Sequence, residues 1–425
     1  MQSDRFSNFG VFGGFIFFSI VGMANPFFTL YAAELGASTF AIGAMVTLRA
    51  VLPIFIALPS GQMIDSIGPV RMLQVGSVAL LASMLCTIFA TGLVLLSLSQ
   101  VFLGAAIIIM ASSFQVLVSK GGDRDKRNDA IKRYAMWMSA GGMVGPVIGG
   151  LIISSAAVPL EGYRMAFVTS AAATLALMGA FIWIARHYPH PKLEEIEISP
   201  RDVMTMKGIT QSYRSGISLA GHRAVQFGLT ATFLIMYIQS LYISFLPLYL
   251  AQNDYATMLI SVAIALKGLS GMLARFLLGY LMSRFSLESI LTTAGVVAAG
   301  CVVLTPLAVA DPITMLALVA LMGAAVGINL PVSIMIMVDA IGEGQRGKLM
   351  GLRLLVNRFA QILSPVMFGL VGQLLGLTAA FLGGGALLVG VLVGFATYVR
   401  RSTARAQTWR APPERASRMT GGYIL

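Results

Sequence analysis

Two apolar stretches decide the fold: STFAIGAMVTLRAVLPIFIALPSG at residues 38–61 and MLISVAIALKGLSGMLARFLLG at residues 258–279. Each has the roughly 20 residues that an α-helix needs to cross a bilayer. Each also carries one cation near its middle, Arg49 in the first and Lys267 in the second, twelve residues before a glycine. The match predicts two membrane-spanning helices at equivalent positions of an internal repeat.

Composition extends this prediction to the whole chain. Of its 425 residues, 57% are hydrophobic and 11% are charged, whereas soluble domains carry about 25% charged residues. Twelve apolar runs can be drawn, at about residues 9–33, 38–62, 72–91, 94–118, 134–157, 163–186, 225–250, 256–282, 287–309, 312–338, 349–374 and 378–400. We therefore expect an all-α polytopic membrane protein with twelve transmembrane helices in two pseudo-symmetric six-helix halves.

The positive charges indicate topology. The net charge is +12, and the cations cluster in alternate loops and at the C-terminal end. This positive-inside pattern predicts that both termini are cytoplasmic, in a bacterial inner membrane. The expected organisation is an N-terminal half (1–186), a cytoplasmic central loop (187–223), a C-terminal half (224–400) and a basic cytoplasmic tail (401–425). We expect a monomer surrounded by lipid, with no nucleic-acid partner, cofactor or metal.

Short matching segments support the repeat. FFTLY at 27–31 corresponds to FLPLY at 245–249, and FLGAA at 102–106 corresponds to LMGAA at 321–325, at an offset of 218 to 219 residues. In secondary transporters, such repeats build two halves around a binding site near the middle of the membrane.

Two motifs carry a family resemblance. The loop after the second run reads G-x-x-x-D-x-x-G-x-x-R, formed by Gly61, Asp65, Gly68 and Arg71. It resembles the loop motif of the major facilitator superfamily, which implies that these residues stabilise one conformation and do not bind substrate. Arg275 lies in the corresponding segment of the second half, nearer the inner face, and we expect it to be structural.

The fifth run fits G-x-x-x-G-P-x-x-G-G, formed by Gly141, Gly145, Pro146, Gly149 and Gly150. This pattern is similar to the antiporter helix of the same superfamily. Glycines at this spacing let a neighbouring backbone approach closely, and proline adds a kink. The resemblance leans towards export, whereas ordinary packing of small residues gives a similar local pattern.

The chain departs from proton-driven exporters in two ways. The family often has an arginine four residues before Gly104, where this chain has Gln100. In addition, all seventeen Asp and Glu residues fall at the ends of apolar runs or in loops. The sequence therefore lacks the usual membrane-embedded carboxylate for binding a cationic drug or carrying a proton.

Arg49 and Lys267 are the main candidates for substrate binding. A cation at bilayer depth costs roughly 2.5–3.5 kcal/mol, and Arg49 lies about 16 Å from either end of its run, too far to snorkel comfortably. The pair resembles the two arginines of nitrate/nitrite porters in the superfamily, although their glycine-rich signatures are not matched. We expect the pair to hold one small anion, whose charge neutralises the site before it reorients.

Other polar or aromatic side chains in the runs could shape the pocket, or could serve helix packing alone. The further candidates are Arg358, Asn25, Gln100, Gln115, Tyr237, Gln239, Tyr242 and Asn329.

The sequence thus predicts a secondary transporter that moves a small organic anion by alternating access, with a proton or a counter-anion as candidate coupling ion. A proton-coupled multidrug antiporter and a non-transporting scaffold or receptor on a transporter fold stay open as alternatives. An enzyme is not expected, because no nucleophile–base set, phosphate loop or metal cluster stands out.

Overall fold

The computed structural model describes residues 2–119, 124–187, 218–341 and 346–407, and these are almost entirely helical. Most of the predicted central loop (188–217) and of the predicted tail (408–425) lies outside the described residues.

Six helices form the first half: α1 (Gln2–Glu34), α2 (Thr39–Ile67), α3 (Pro69–Ile88), α4 (Leu93–Ser119), α5 (Arg124–Ser155) and α6 (Pro159–His187). The second half follows a 3₁₀ turn (Ser218–Gly221) and contains α7 (Arg223–Gln252), α8 (Thr257–Phe276), the short α9 (Leu278–Arg284), α10 (Leu287–Ala308) and α11 (Pro312–Asp339). A final helical segment, Arg346–Gln407, is broken at Gly376, whose backbone is non-helical (φ 84°, ψ 157°). We call its two parts α12 (346–375) and α13 (377–407).

The described helices confirm the all-α fold with twelve spans. Eleven helical segments of the described chain are long and apolar enough to cross a membrane. The last of them, Leu349–Gly394, has 46 residues, about twice the length of one crossing. Because Gly376 divides it, this segment supplies two spans.

Two predicted runs differ in detail from the helices. The run at 256–282 is two helices, because a turn at Leu277, whose N–H bonds the carbonyl of Ala274 at 3.2 Å, separates α8 from α9. The run at 134–157 belongs to a helix that begins ten residues earlier, at Arg124. Hydropathy marks the apolar part of a helix and misses a charged extension beyond the membrane.

The turns follow local chemistry. Gly68 has φ 92°, a conformation that favours glycine, and it lies between α2 and α3. Ser38 caps α2 by accepting a hydrogen bond from the N–H of Ala41 at 3.2 Å. Asp311 caps α11 in the same way, and the hydroxyl and backbone N–H of Thr314 hold the pKa of the Asp311 carboxyl below its ordinary value.

The helices pack in the same way in the two halves of the internal repeat. A Cβ on Gly104 of α4 would meet the carbonyl oxygen of Arg49, and a Cβ on Gly323 of α11 would meet the carbonyl oxygen of Lys267. The same small residue therefore lets the same pair of helices approach in both halves. This contact places Arg49 and Lys267 at equivalent positions and confirms the two pseudo-symmetric halves.

The halves meet closely at the end of the bundle opposite the chain termini, which we call the distal side. There Gly43 of α2 faces the carbonyl of Pro365 on α12, and the Thr47 hydroxyl donates to the Ile362 carbonyl at 3.1 Å. The equivalent contact joins Gly150 of α5 to Ser261 of α8. These two contacts close the space between the halves on the distal side.

Candidate functional site

A cavity of about 370 Å³ lies between the halves, next to the distal contact. Helices of both halves contribute to its wall: α1, α2 and α4 from the first half and α7, α11 and α12 from the second. The lining residues are Asn25, Val46, Arg49, Ala50, Gly104, Ile107, Met236, Gln239, Ser240, Ile243, Ser244, Leu330, Arg358 and Gln361.

Arg49 is fixed in this wall by two neutral amides. Its Nε donates to Oε1 of Gln100 at 2.9 Å, its Nη2 donates to the same oxygen, and its Nη1 donates to Oδ1 of Asn25. A guanidinium has five N–H donors. Three are used here, so one donor on each terminal nitrogen has no partner among the described residues. The side chain is thus oriented by its neighbours, and no carboxylate of the described residues neutralises it.

Arg358 of α12 lines the same cavity from the other half. Its Nη1 donates to Oε1 of Gln361, one turn further along the helix, at 2.8 Å. Among the described residues that line the cavity there are two arginines and neither Asp nor Glu. The wall therefore presents positive charge from both halves.

Lys267 is not among the lining residues of this cavity. It is half-buried on α8, and its ammonium makes no hydrogen bond or ion pair with the part of the chain that the structure describes. By the repeat offsets, the positions equivalent to Asn25 and Gln100 are Ile243 and Val319. The second half therefore has a cation at the repeat position but apolar residues at the two positions where the first half has amides. The structure brings Arg49 together with Arg358, and it does not bring Lys267 into their cavity.

The other predicted side chains lie at different depths. Asn25 and Gln239 line the cavity, and Gln100 lies buried behind Arg49. Tyr242 is buried and bonds the hydroxyl of Thr305 at 2.6 Å, in the packing of α7 on α10.

Three further candidates are outside the lining. Gln115 is exposed, and Tyr237 is half-buried with its ring 6.2 Å from that of Phe233. Asn329 is buried, and its Oδ1 has no hydrogen-bond partner among the described residues. None of the three contributes to the wall that holds Arg49.

The glycines predicted on α5 contact α1 and α8. A Cβ on Gly141 would meet the carbonyl of Phe15, and a Cβ on Gly145 would meet that of Ser19. Gly149 lies against the ring of Phe27, and Gly150 faces α8. Pro146 lies inside the helix. The α1 and α5 backbones therefore approach as closely as the glycine spacing predicts.

The loop motif is described in part. Gly68 forms the turn between α2 and α3, and Arg71 is exposed at the start of α3. Gly61 and Asp65 lie in the helical backbone of α2, but the side-chain surroundings at these two positions lie outside the described part of the structure. Arg275 is exposed near the end of α8.

Sequence reasoning missed several lining residues. Gln361 could have been found from its i,i+3 spacing to Arg358, which brings the two side chains together on a helix. Ser240 and Ser244 are one turn apart and line the wall beside Gln239. Apolar lining residues such as Val46 carry no sequence signal that separates them from ordinary core.

Comparison with known families settles the class of protein. A sequence model of the Major Facilitator Superfamily matches residues 10–312 and 290–420. The chain belongs to this superfamily. Members are membrane transporters, so the protein is an integral membrane protein of a transporter family and not an enzyme.

Solved structures of several transporters share the fold. A mutant of the nucleoside transporter NupG superposes with a TM-score of 0.75 at 14% identity, over 93% of this chain and 99% of that one. A bacterial homolog of the human lysosomal transporter Spinster, inward-facing and unoccupied, gives 0.74 at 13% identity over 97% and 99%. A POT family transporter in complex with 5-aminolevulinic acid gives 0.72 at 13% over 94% and 96%. No curated protein sequence matches this chain.

Proposed function

We propose that this superfamily member is a secondary transporter that moves a small organic anion by alternating access, with Arg49 and Arg358 in the binding cavity. The observation that carries the proposal is the bonding of Arg49. Its guanidinium is oriented by the amide oxygens of Asn25 and Gln100, and in the described part of the chain it pairs with no carboxylate. An arginine kept charged and directed at a cavity is suited to an anionic ligand.

The unused donors of Arg49 favour a planar anionic group. One N–H on each terminal nitrogen is free of partners in the described chain. Two N–H groups of one guanidinium match the two oxygens of a carboxylate. The cavity volume of about 370 Å³ is near the lower end of the range for small-molecule sites, which indicates a compact ligand.

The arrangement of the halves supports alternating access. The distal contact at Gly43 is a close approach to the backbone carbonyl of Pro365, and the contact at Gly150 is made with the small side chain of Ser261. A bound anion neutralises positive charge contributed by both halves, so the loaded cavity reorients at lower electrostatic cost than the empty one.

We further propose that the termini are cytoplasmic in a bacterial inner membrane. The basic loops and tail support this orientation through the positive-inside rule. With that orientation, the distal contacts close the outer side of the cavity. The glycine pattern of α5 favours export, whereas basic residues in the cavity are equally compatible with uptake or exchange, so the direction is to be measured.

Thermal-shift titration tests the proposal on purified full-length protein. Benzoate and benzamide form a suitable pair of probes, because they share shape and differ in charge. We expect benzoate to stabilise the wild type and benzamide to have little effect. Arg49→Gln should lose the benzoate response, Arg49→Lys should keep part of it, and Arg275→Gln, a cation removed outside the cavity, should keep all of it.

Transport is then measured by counterflow of labelled benzoate in proteoliposomes. Saturable exchange in the wild type that is lost in Arg49→Gln supports the proposal. Stabilisation by cationic drugs alone, unchanged in Arg49→Gln, would instead support a multidrug antiporter. If neither kind of probe binds and Arg49→Gln leaves the biological phenotype intact, a scaffold or receptor is the better description.

A further inference from the structure

Binding of a simple anion by the arginines gives no role to one polar side chain of the cavity, Gln239. Gln239 of α7 lines the cavity together with Arg49 of α2 and Arg358 of α12. Its Oε1 is shielded from solvent and accepts no hydrogen bond from the described residues. The amide oxygens of Asn25, Gln100 and Gln361 are all engaged by arginines. Gln239 is therefore the cavity amide whose acceptor is free.

Two serines of α7 add further acceptors beside it. Ser240 lines the cavity next to Gln239, and no partner of its hydroxyl is found among the described residues. Ser244, one turn on, donates its own hydroxyl hydrogen to the Ser240 carbonyl at 2.8 Å, which leaves its oxygen as an acceptor. The cavity thus has donors on the Arg49 side and acceptors on the α7 side.

We infer that the substrate is a hydroxylated anion: its carboxylate binds Arg49 and its hydroxyl donates to the side-chain amide of Gln239. This inference rests on the proposed function and specifies the substrate class of the same site. The torsion that turns a glutamine amide is broad, so rotation brings Oε1 from its shielded position to the cavity. A buried acceptor without a donor is unfavourable, and a ligand hydroxyl removes that penalty.

The chemistry of the wall favours a hydroxyl over an ammonium group. An ammonium group taken out of water needs a carboxylate or several acceptors around it. The described lining residues include neither Asp nor Glu, and Arg358 adds a second positive charge. A zwitterionic amino acid is therefore a poorer ligand than the hydroxy acid of the same size.

The test compares three ligands with one carbon skeleton: lactate, propionate and alanine. Their dissociation constants are measured by isothermal titration calorimetry on the wild type, on Gln239→Leu and on Gln115→Leu. The last variant makes the same change at an exposed glutamine outside the cavity. We expect lactate to bind the wild type about tenfold more tightly than propionate, the size of one hydrogen bond, with alanine weakest.

Gln239→Leu should abolish the preference for lactate and leave propionate binding within about twofold, whereas Gln115→Leu should change neither. Equal binding of lactate and propionate to the wild type would overturn this inference and leave the anion transporter intact. A lactate preference that survives in Gln239→Leu would also overturn it. If none of the three ligands binds, and Arg49→Gln behaves like the wild type towards benzoate, the proposed function itself fails.

Discussion

A single-atom change at Gln100 tests the electrostatics of the cavity most directly. Gln100→Glu keeps the length and shape of the side chain and replaces the amide by a carboxylate. In the structure, Oε1 of Gln100 accepts from both Nε and Nη2 of Arg49. A glutamate at this position would accept the same two hydrogen bonds and would neutralise the guanidinium at the same time.

The expected effect on binding follows from Coulomb's law. Oε1 lies 2.9 Å from Nε of Arg49, and an anion on the far side of the guanidinium lies about twice as far from it, roughly 6 Å. Two like charges at about 6 Å, with an effective dielectric constant of about 20, repel by about 2.8 kcal/mol. We therefore expect Gln100→Glu to weaken benzoate binding roughly a hundredfold. The variant should unfold at the same temperature as the wild type or above it.

Calorimetric titration with benzoate and thermal unfolding in detergent measure both effects. Gln115→Glu is the matched control, since it adds the same charge at an exposed position of the same helix. Benzoate affinity that falls less than about threefold in Gln100→Glu would show that the charge of Arg49 does not hold the anion. An equal fall in Gln115→Glu would indicate a general effect of net charge.

Three further predictions concern the scaffold. Gly145→Ala should destabilise the protein by about 1–3 kcal/mol, because its Cβ overlaps the α1 backbone, whereas Gly142→Ala, which meets open space, should not. Lys267→Met should stabilise it by up to about 2.5 kcal/mol with benzoate binding unchanged, because the change removes from bilayer depth a cation that has no partner among the described residues. Asp311→Ala should lower the unfolding temperature at neutral pH. It should make no difference at a pH below the lowered pKa of Asp311, because the protonated carboxyl group already caps α11 more weakly.

Thermal unfolding in detergent measures all three. Equal stability of the two alanine variants on α5 would show that the close approach of α1 and α5 carries little energy. Loss of benzoate binding in Lys267→Met would instead support the sequence-based expectation that Lys267 and Arg49 bind the same anion. The sign for Asp311 is fixed by its lowered pKa: its contribution is complete above the ordinary pKa of a free aspartate and is lost as the pH falls through the lowered value. A contribution that persists at the lowest pH would contradict the cap.

The sequence predicts the fold because the relevant signals are local or periodic. Apolar length reveals a spanning helix, and the constant offset between FLGAA at 102–106 and LMGAA at 321–325 predicts the equivalent contacts at Gly104 and Gly323. The sequence also indicates Arg49 as a candidate binding residue, because placing a cation at bilayer depth costs free energy.

Partnerships across helices were harder to predict. The repeat suggested that Lys267 shares the cavity with Arg49, but the repeat fixes the position of a backbone and leaves the direction of a side chain open. That direction depends on distant neighbours: amides face Arg49, while Ile243 and Val319 occupy the equivalent positions in the second half. Arg358 lines the cavity because of how α12 packs against the other helices, which a hydropathy pattern does not encode.

The neutral amides of Asn25 and Gln100, which orient Arg49 without neutralising it, affect how the membrane potential acts on the protein. A carrier whose fixed charge is uncompensated is sensitive to voltage whenever that charge moves along the membrane normal, by about 2.3 kcal/mol per elementary charge and 100 mV. In the transport cycle that we propose, a bound anion neutralises Arg49, so the moving part of the protein carries less charge and is less sensitive to the membrane potential. The membrane potential would therefore act mainly on the reorientation of the empty transporter. Exchange of one bound substrate for another would then be less sensitive to the potential than net transport.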